Sequence, residues 1–189
     1  MKLGLAPALV GAALVATTGC ASKRMDADGT LRAYRLTATI RDLMDAEVDP
    51  AADSIWASVA SVSSERGFED RQPRTDEEWA EVRRKAITLV EATNLLIMPG
   101  RRVSAAYVPA RSLGELDSTR VQSLIDASPE AFVALAGVLR DATLISLAAI
   151  DAKNPAALLE AGGTIDAACE GCHVTYWYPE TANRAGTGH

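Results

Sequence analysis

The sequence predicts an all-α chain folded as an antiparallel four-helix bundle, and three observations point there. Alanine, leucine, arginine and glutamate dominate, all good helix formers, while aromatics make up only 5% of the 189 residues and β-branched runs are scarce. Four segments carry apolar residues at alternating spacings of three and four, the mark of one buried helical face. Their connections are short except for one long link between the second and third, so sequential helices become antiparallel neighbours. The chain shows no internal repeat and no strand-period segment of useful length. About 170 residues remain once a leader is removed, which suits one domain with one core.

Residues 1–20 have the form of a secretory signal: Lys2, an apolar run from Leu3 to Ala16, then small residues ending in Gly19-Cys20. Gly19-Cys20 resembles the end of a bacterial lipoprotein signal, although Thr17 stands where such signals usually carry leucine. The expectation is acylation of Cys20 and hence a membrane anchor; the alternatives are a cleaved soluble signal and an uncleaved anchor. Residues 21–30 are polar and read as a flexible tether. The four-helix domain is assigned to 31–178, and 179–189 to a flexible tail.

The first helix is expected from about Leu31 to Val62, with Leu36, Ile40, Met44, Val48, Ala51, Ile55 and Val59 as its apolar stripe. Pro50 removes the hydrogen bond to the Ala46 carbonyl, so a kink or restart is expected there. Segment 63–74 reads as a polar loop. The second helix opens on Thr75, with Glu78 placed to complete a capping box. It buries Trp79, Val82, Ala86, Leu89, Thr93 and Leu96 and stops at Pro99-Gly100. The chain is then irregular to residue 127 apart from a short helix near 118–126. Ser128-Pro129 opens the third helix, with proline at the first helical position. Its stripe is Phe132, Leu135, Leu139, Ala142, Ile145 and Ala149. Asn154-Pro155 opens the fourth, whose inward seam is Leu158, Gly162, Ile165, Cys169, Cys172 and Tyr176. Two glycines at 162 and 163 cost a helix about 1 kcal/mol each relative to alanine. They predict a close backbone approach, to the first helix or to a bound group.

The formal net charge is −6, and −7 once Lys2 leaves with the leader. That balance argues against nucleic acid as a partner, since phosphate binding needs a basic surface. Arg83-Arg84-Lys85 and Arg101-Arg102 are the largest basic clusters and read as solvated faces.

Cys169-Glu170-Gly171-Cys172-His173 is a Cys-x-x-Cys-His sequence, the covalent attachment signature of c-type haem. The two thiols add across the vinyl groups of the porphyrin, and the imidazole binds the iron. On a helix, positions i, i+3 and i+4 share one face, so all three groups can address one flat cofactor. A thioredoxin-like dithiol would sit at the start of a helix after a strand, and this motif does neither. A structural zinc would need four ligands, which only Cys169, Cys172, His173 and His189 can supply. An exported domain agrees with haem attachment, which occurs outside the cytoplasm. For the sixth iron position, no methionine follows residue 98, and His189 lies on the Gly-Thr-Gly tail. What remains is a ligand from the earlier helices or an open site.

The late Cys169-x-x-Cys172-His173 and the helix count make residues 31–178 resemble the cytochrome c prime family, the class II c-type cytochromes. The resemblance implies a four-helix bundle with one covalent haem c near the end of the last helix. Some members leave the iron five-coordinate under an apolar side chain, and others place a methionine from the first helix on it. By that resemblance Met44 is the candidate ligand. Its position in the apolar stripe points the thioether inward, and soft sulfur suits haem iron and raises its potential. The ordinary role of such a residue is core filler. Met98 and Met25 are weaker rivals. Relatives commonly carry an arginine four residues before the ligand; here Arg41 precedes Met44 by three. Arg41, Arg101 and Arg102 are candidates to pair with the haem propionates, and Trp56, Trp79, Tyr176 and Trp177 are candidates to pack around the cofactor.

The expected role is electron transfer with redox partner proteins of the cell envelope, without enzymatic chemistry. The alternative is a five-coordinate haem that binds nitric oxide or carbon monoxide in a site lined by Ile40, Leu43 and Met44. A third idea is a haem that only staples the bundle. The resemblance further implies homodimers formed through the first two helices.

Overall fold

The computed structural model describes residues 34–64, 67–112 and 114–179. The leader, the tether with Met25, and the tail from residue 180 with His189 lie outside these described residues, as does Cys20.

The first helix starts nine residues later than the apolar pattern suggested. Thr39 is extended (φ −85°, ψ 172°), and its hydroxyl accepts the Asp42 N–H, while the Asp42 carboxylate accepts the Thr39 N–H at 2.8 Å. This capping box fixes the start of α1 (Ile40–Leu43). A π-helical turn follows over Met44–Val48, then α2 (Asp49–Ser58). The three pieces are continuous and form helix one. Regular α-helix restarts at Asp49-Pro50, as the proline predicts, without a break in the chain: the backbone widens ahead of it. The Asp49 N–H reaches back to the Met44 carbonyl, the bond that closes the wide turn. A π turn is a usual way for a helix to accommodate a position that cannot keep regular bonding.

Helix one ends at Ser58, where Val59 turns extended (φ −135°, ψ 112°). The segment read as helix end and loop forms an antiparallel hairpin instead. β1 (Ala60–Ser64) pairs with β2 (Gly67–Arg71), Ala60 opposite Arg71 and Ser64 opposite Gly67. Serines and valines favour this extended pairing over a further helical turn.

α3 (Asp76–Leu96) begins with the expected Thr75/Glu78 capping box and ends before Gly100, whose φ of +81° reverses the chain. α4 (Ser118–Ala127) is the short helix, capped by Asp117. α5 (Pro129–Asp151) and α6 (Pro155–Tyr176) each open on proline, and Asn154 caps α6. In α5 the buried face includes Phe132, Ala136, Leu139, Ala142, Thr143, Ser146 and Ala149, whereas Ile145 points to solvent at 56% exposure. The expected stripe drifted one residue here, because alanine, threonine and serine occupy much of the buried arc.

Helix one, α3, α5 and α6 form the four-helix bundle that the pattern predicts. Helix one packs along α3, α3 along α5, and α5 along α6, while helix one and α6 touch only over a short stretch. That touch is made by Trp56, whose indole N–H donates to the Gly162 carbonyl at 3.0 Å. The glycine pair thus divides. A Cβ on Gly162 would lie 3.1 Å from the Trp56 ring, whereas Gly163 faces open space. Gly163→Ala should raise stability by up to about 1 kcal/mol through helix propensity. Gly162→Ala should lower it by about 1 kcal/mol, because the indole cannot move aside and keep its hydrogen bond. Paired thermal melts of the two variants check the opposite signs.

Candidate functional site

Below the Trp56 contact the seam between helix one and α6 opens into an apolar cavity. Cys169, Cys172 and His173 line it from α6, Met44, Val48 and Asp49 from helix one, Leu96 from α3, and Phe132, Leu135, Ala136 and Leu139 from α5. The sequence-predicted residues therefore meet: one helical face brings both thiols and the imidazole to the space that Met44 faces. The π turn begins at Met44, so the residue expected to approach the iron sits where helix one departs from α-helical pitch.

Both cysteines are free thiols. Burial pushes the Cys169 thiol up to about 11, assisted by the nearby Asp49 and Asp166 carboxylates. Burial pushes Cys172 up to about 12, with Cys169 next to it. A reactive dithiol needs the opposite, a stabilised thiolate. Among the described residues no group of three or more His, Cys, Asp or Glu side chains is placed to hold a metal ion by itself. Neutral, half-buried sulfurs suit thioether formation, which leaves no charge in the cavity.

A second, more polar cavity adjoins the first and shares Met44, Asp49 and His173 with it. Arg41, Asp45, Arg111, Glu115 and Trp177 also line it. Burial raises the Asp49 carboxyl, an effect that His173 opposes and Asp45 and Asp53 reinforce. The His173 ring stands edge-on to Trp177, centroids 5.9 Å apart at 65°. The His173 carbonyl accepts the backbone N–H of Trp177 and of Tyr178, closing the end of α6.

The outer cavity exists because the 99–117 link is strapped to both helices that frame it. The Ile40 N–H donates to the Arg102 carbonyl and the Arg41 N–H to that of Val103, while the Leu116 N–H donates to Trp177 at 2.8 Å. Ser118 and Val108 bond each other, and Gln122 accepts the Val103 N–H. Arg111 and Glu115 reach the site this way. Sequence reasoning missed them: Glu115 accepting the Arg111 and Ser112 N–H groups is a local turn, but its placement beside His173 is tertiary.

Several expectations are corrected. Arg101 and Arg102 do not face His173. Arg101 ties α3 to the start of helix one, bonding the Leu95 and Ala38 carbonyls and lying 3.3 Å from the Met98 sulfur. Both arginines and Met98 line a separate groove near α4, which removes Met98 as a rival ligand. Arg41 is at the site. Ile40 and Leu43 belong to the core, at 1% and 5% exposure, and do not line the cavity. Trp56 and Trp79 lie elsewhere. Tyr176 is buried edge-on to Phe132, and its hydroxyl has no hydrogen-bond partner. Only Trp177 among the four aromatics lines a His173 cavity.

The residues fit a covalently attached haem. The match is one of lining chemistry rather than of space, for the apolar cavity measures about 30 Å³: two neutral sulfurs, an imidazole and a thioether adjoin a polar space with two guanidinium groups, as an apolar macrocycle with carboxylates at its edge requires.

No protein-family model matches the chain, and no curated protein matches it. Among solved structures it is similar to a cytochrome c prime from Alcaligenes xylosoxidans in its nitric oxide complex, at 18% identity and a TM-score of 0.44, covering 75% of this chain and 98% of that one. A ferrous variant of the same protein with nitric oxide bound gives the same figures. A further cytochrome c prime aligns at 19% identity and TM-score 0.44, covering 75% and 99%.

The register of Met44 depends on the Thr39/Asp42 cap. Bonds from the Thr39 backbone and hydroxyl hold the Asp42 carboxyl below its ordinary range. A carboxylate with a depressed folded-state pKa stabilises above its unfolded value, and the effect is lost as pH falls through the folded value. Asp42→Asn should therefore lower the melting temperature at pH 7, with the deficit vanishing in acid below the carboxylate range, as paired melts at the two pH values check.

Proposed function

We propose that this chain is an exported mono-haem c-type cytochrome acting in electron transfer, with haem attached at Cys169 and Cys172 and iron held by His173 and Met44. The observation that supports this reading is the single apolar cavity lined by both thiols, the imidazole and the Met44 side chain. When bound, the haem supplies an iron that takes up and returns one electron. The chain's residues do the rest. Cys169 and Cys172 fix the group covalently. His173 and Met44 approach from facing helices, and thioether sulfur favours the ferrous state and raises the potential. Val48, Phe132, Leu135 and Leu139 exclude water, which also raises the potential. Arg41 and Arg111 pair with the propionates at the polar mouth. No substrate conversion is part of this role.

A secretory signal over 1–20 with acylation at Cys20 would place the domain in the periplasm, tethered to a membrane. The outward residues of helix one near the polar mouth are acidic, namely Asp42, Glu47 and Asp53, all exposed, with Asp45 at the rim of the mouth itself. They suit a redox partner protein with a basic docking face and argue against nucleic acid as a ligand there.

A second reading rests on Met44 lining both cavities. Turned toward the polar mouth, its sulfur would leave the iron five-coordinate and open to nitric oxide or carbon monoxide. An absorption spectrum decides. His/Met ligation gives sharp, split α and β bands on reduction and no response to carbon monoxide. Met44→Ala should convert this to a broad high-spin spectrum that shifts with carbon monoxide, with a lower potential. A high-spin, gas-responsive parent establishes the second reading. Colourless protein from a host that matures c-type cytochromes, or pigment lost in acid–acetone, defeats both.

Glu47→Lys should slow electron exchange with a cationic redox protein several-fold at low ionic strength and flatten its salt dependence, leaving the spectrum unchanged, since Glu47 lines neither cavity. Stopped-flow kinetics over a salt series measures this.

A further inference from the structure

The π turn sets more than the position of Met44. In a regular α-helix, residues five positions apart sit about 140° away from each other around the axis, so Asp49 would turn away from the face that carries Met44. The Asp49 N–H donates instead to the Met44 carbonyl, the bond of a π turn, and the wide backbone stacks Asp49 over Met44. Met44, Asp49 and His173 are the residues that border both the apolar cavity and the polar one. Two of these three are the proposed iron ligands. The third is a carboxylate with no part in holding the group.

Asp49 faces His173 as a charge. Burial raises its carboxyl, His173 pulls the other way, and Asp45 and Asp53 add to the effect of burial. Asp49 also helps to raise the Cys169 thiol. It therefore lies within electrostatic reach of both the imidazole and the first attachment sulfur. The residue keeps contact with solvent, and among the described residues its carboxylate forms no ion pair and accepts no hydrogen bond. The other carboxylates of the polar cavity are placed differently. Asp45 and Glu115 border that cavity alone, and the Glu115 carboxylate already accepts the Arg111 and Ser112 N–H groups.

An imidazole that binds a metal through one nitrogen carries an N–H on the other. A carboxylate that accepts this N–H fixes the ring and makes it a stronger donor to the metal. A negative charge near the iron also favours the more positive, ferric state. Both effects lower the potential, against thioether ligation and the exclusion of water, which raise it.

We propose that Asp49 is the positioning residue of His173: its carboxylate accepts the imidazole N–H that does not bind the iron and biases the bound haem toward the ferric state. This rests on the haem reading with His173 as ligand, and it does not depend on Met44 reaching the iron.

Reduction potentials of the holoprotein at pH 7, measured by spectroelectrochemistry, test it. Asp49→Asn should shift the balance about tenfold toward ferrous, roughly 59 mV for one electron. Asp49→Ala removes the acceptor as well as the charge and should shift it at least as far. Asp49→Glu keeps both and should return the potential most of the way. Asp53→Asn removes an equal charge from the next turn of helix one, at an exposed residue that borders neither cavity. It should leave the balance within about twofold of the parent, since solvent screens it. By NMR of histidine-labelled protein, the ring N–H of His173 should exchange with solvent faster in Asp49→Ala than in the parent. Absorption spectra and melts should stay those of the parent and serve as the check on folding. A haem-loaded parent whose potential is unmoved by Asp49→Asn overturns the proposal and leaves the haem reading intact. An equal shift in Asp53→Asn overturns it too, because net charge alone would then account for the change, and so does N–H exchange indifferent to Asp49→Ala. A parent without covalent haem defeats the haem reading itself, and this proposal with it.

Discussion

The structure depends on one seam being left short of full helix-to-helix contact. Three of the four helix pairs pack along their length, and the fourth, helix one against α6, does not. Trp56 props it at one end by donating to Gly162, with the indole against the glycine backbone. At the other end the 99–117 link is bonded to Ile40 and Arg41 on one side and to Trp177 on the other, bridging the two helices through itself. Between these clamps Met44 faces the turn of α6 that carries Cys169, Cys172 and His173. Full closure would fill the space with ordinary core contacts and leave two thiols and an imidazole with nothing to bind.

The π turn belongs to the same constraint. Ile40, Met44 and Val48 are spaced by four and four. At 100° per residue, two such steps drift about 80° around an α-helix, enough to carry one of the three out of the seam. A wide turn over Met44–Val48 absorbs the drift, and Pro50 helps to favour it by withholding the N–H that a regular helix would use. The spacing was visible in the sequence; its consequence was not, because a kink relieves proline equally well.

What was legible followed from local chemistry. The caps of α3 and α6, the proline starts of α5 and α6, and the motif's three donors on one face rest on contacts within four residues, and all stand as read. What was missed is tertiary or is a competition between local signals. Thr39-x-x-Asp42 is as clear a capping pattern as Thr75-x-x-Glu78, but the apolar periodicity upstream of it masked the start of the helix. The hairpin at 60–71 is short and serine-rich, too weakly alternating to outweigh an adjacent helical stripe. Arg101 was placed at the site by proximity to the irregular link. The fold spends its guanidinium on backbone carbonyls of α3 and residue 38, and brings Arg111 to His173 by folding the link back over α6. Ile145 was assigned to the core because isoleucine is apolar, whereas Ser146 is fully buried and has no partner for its hydroxyl.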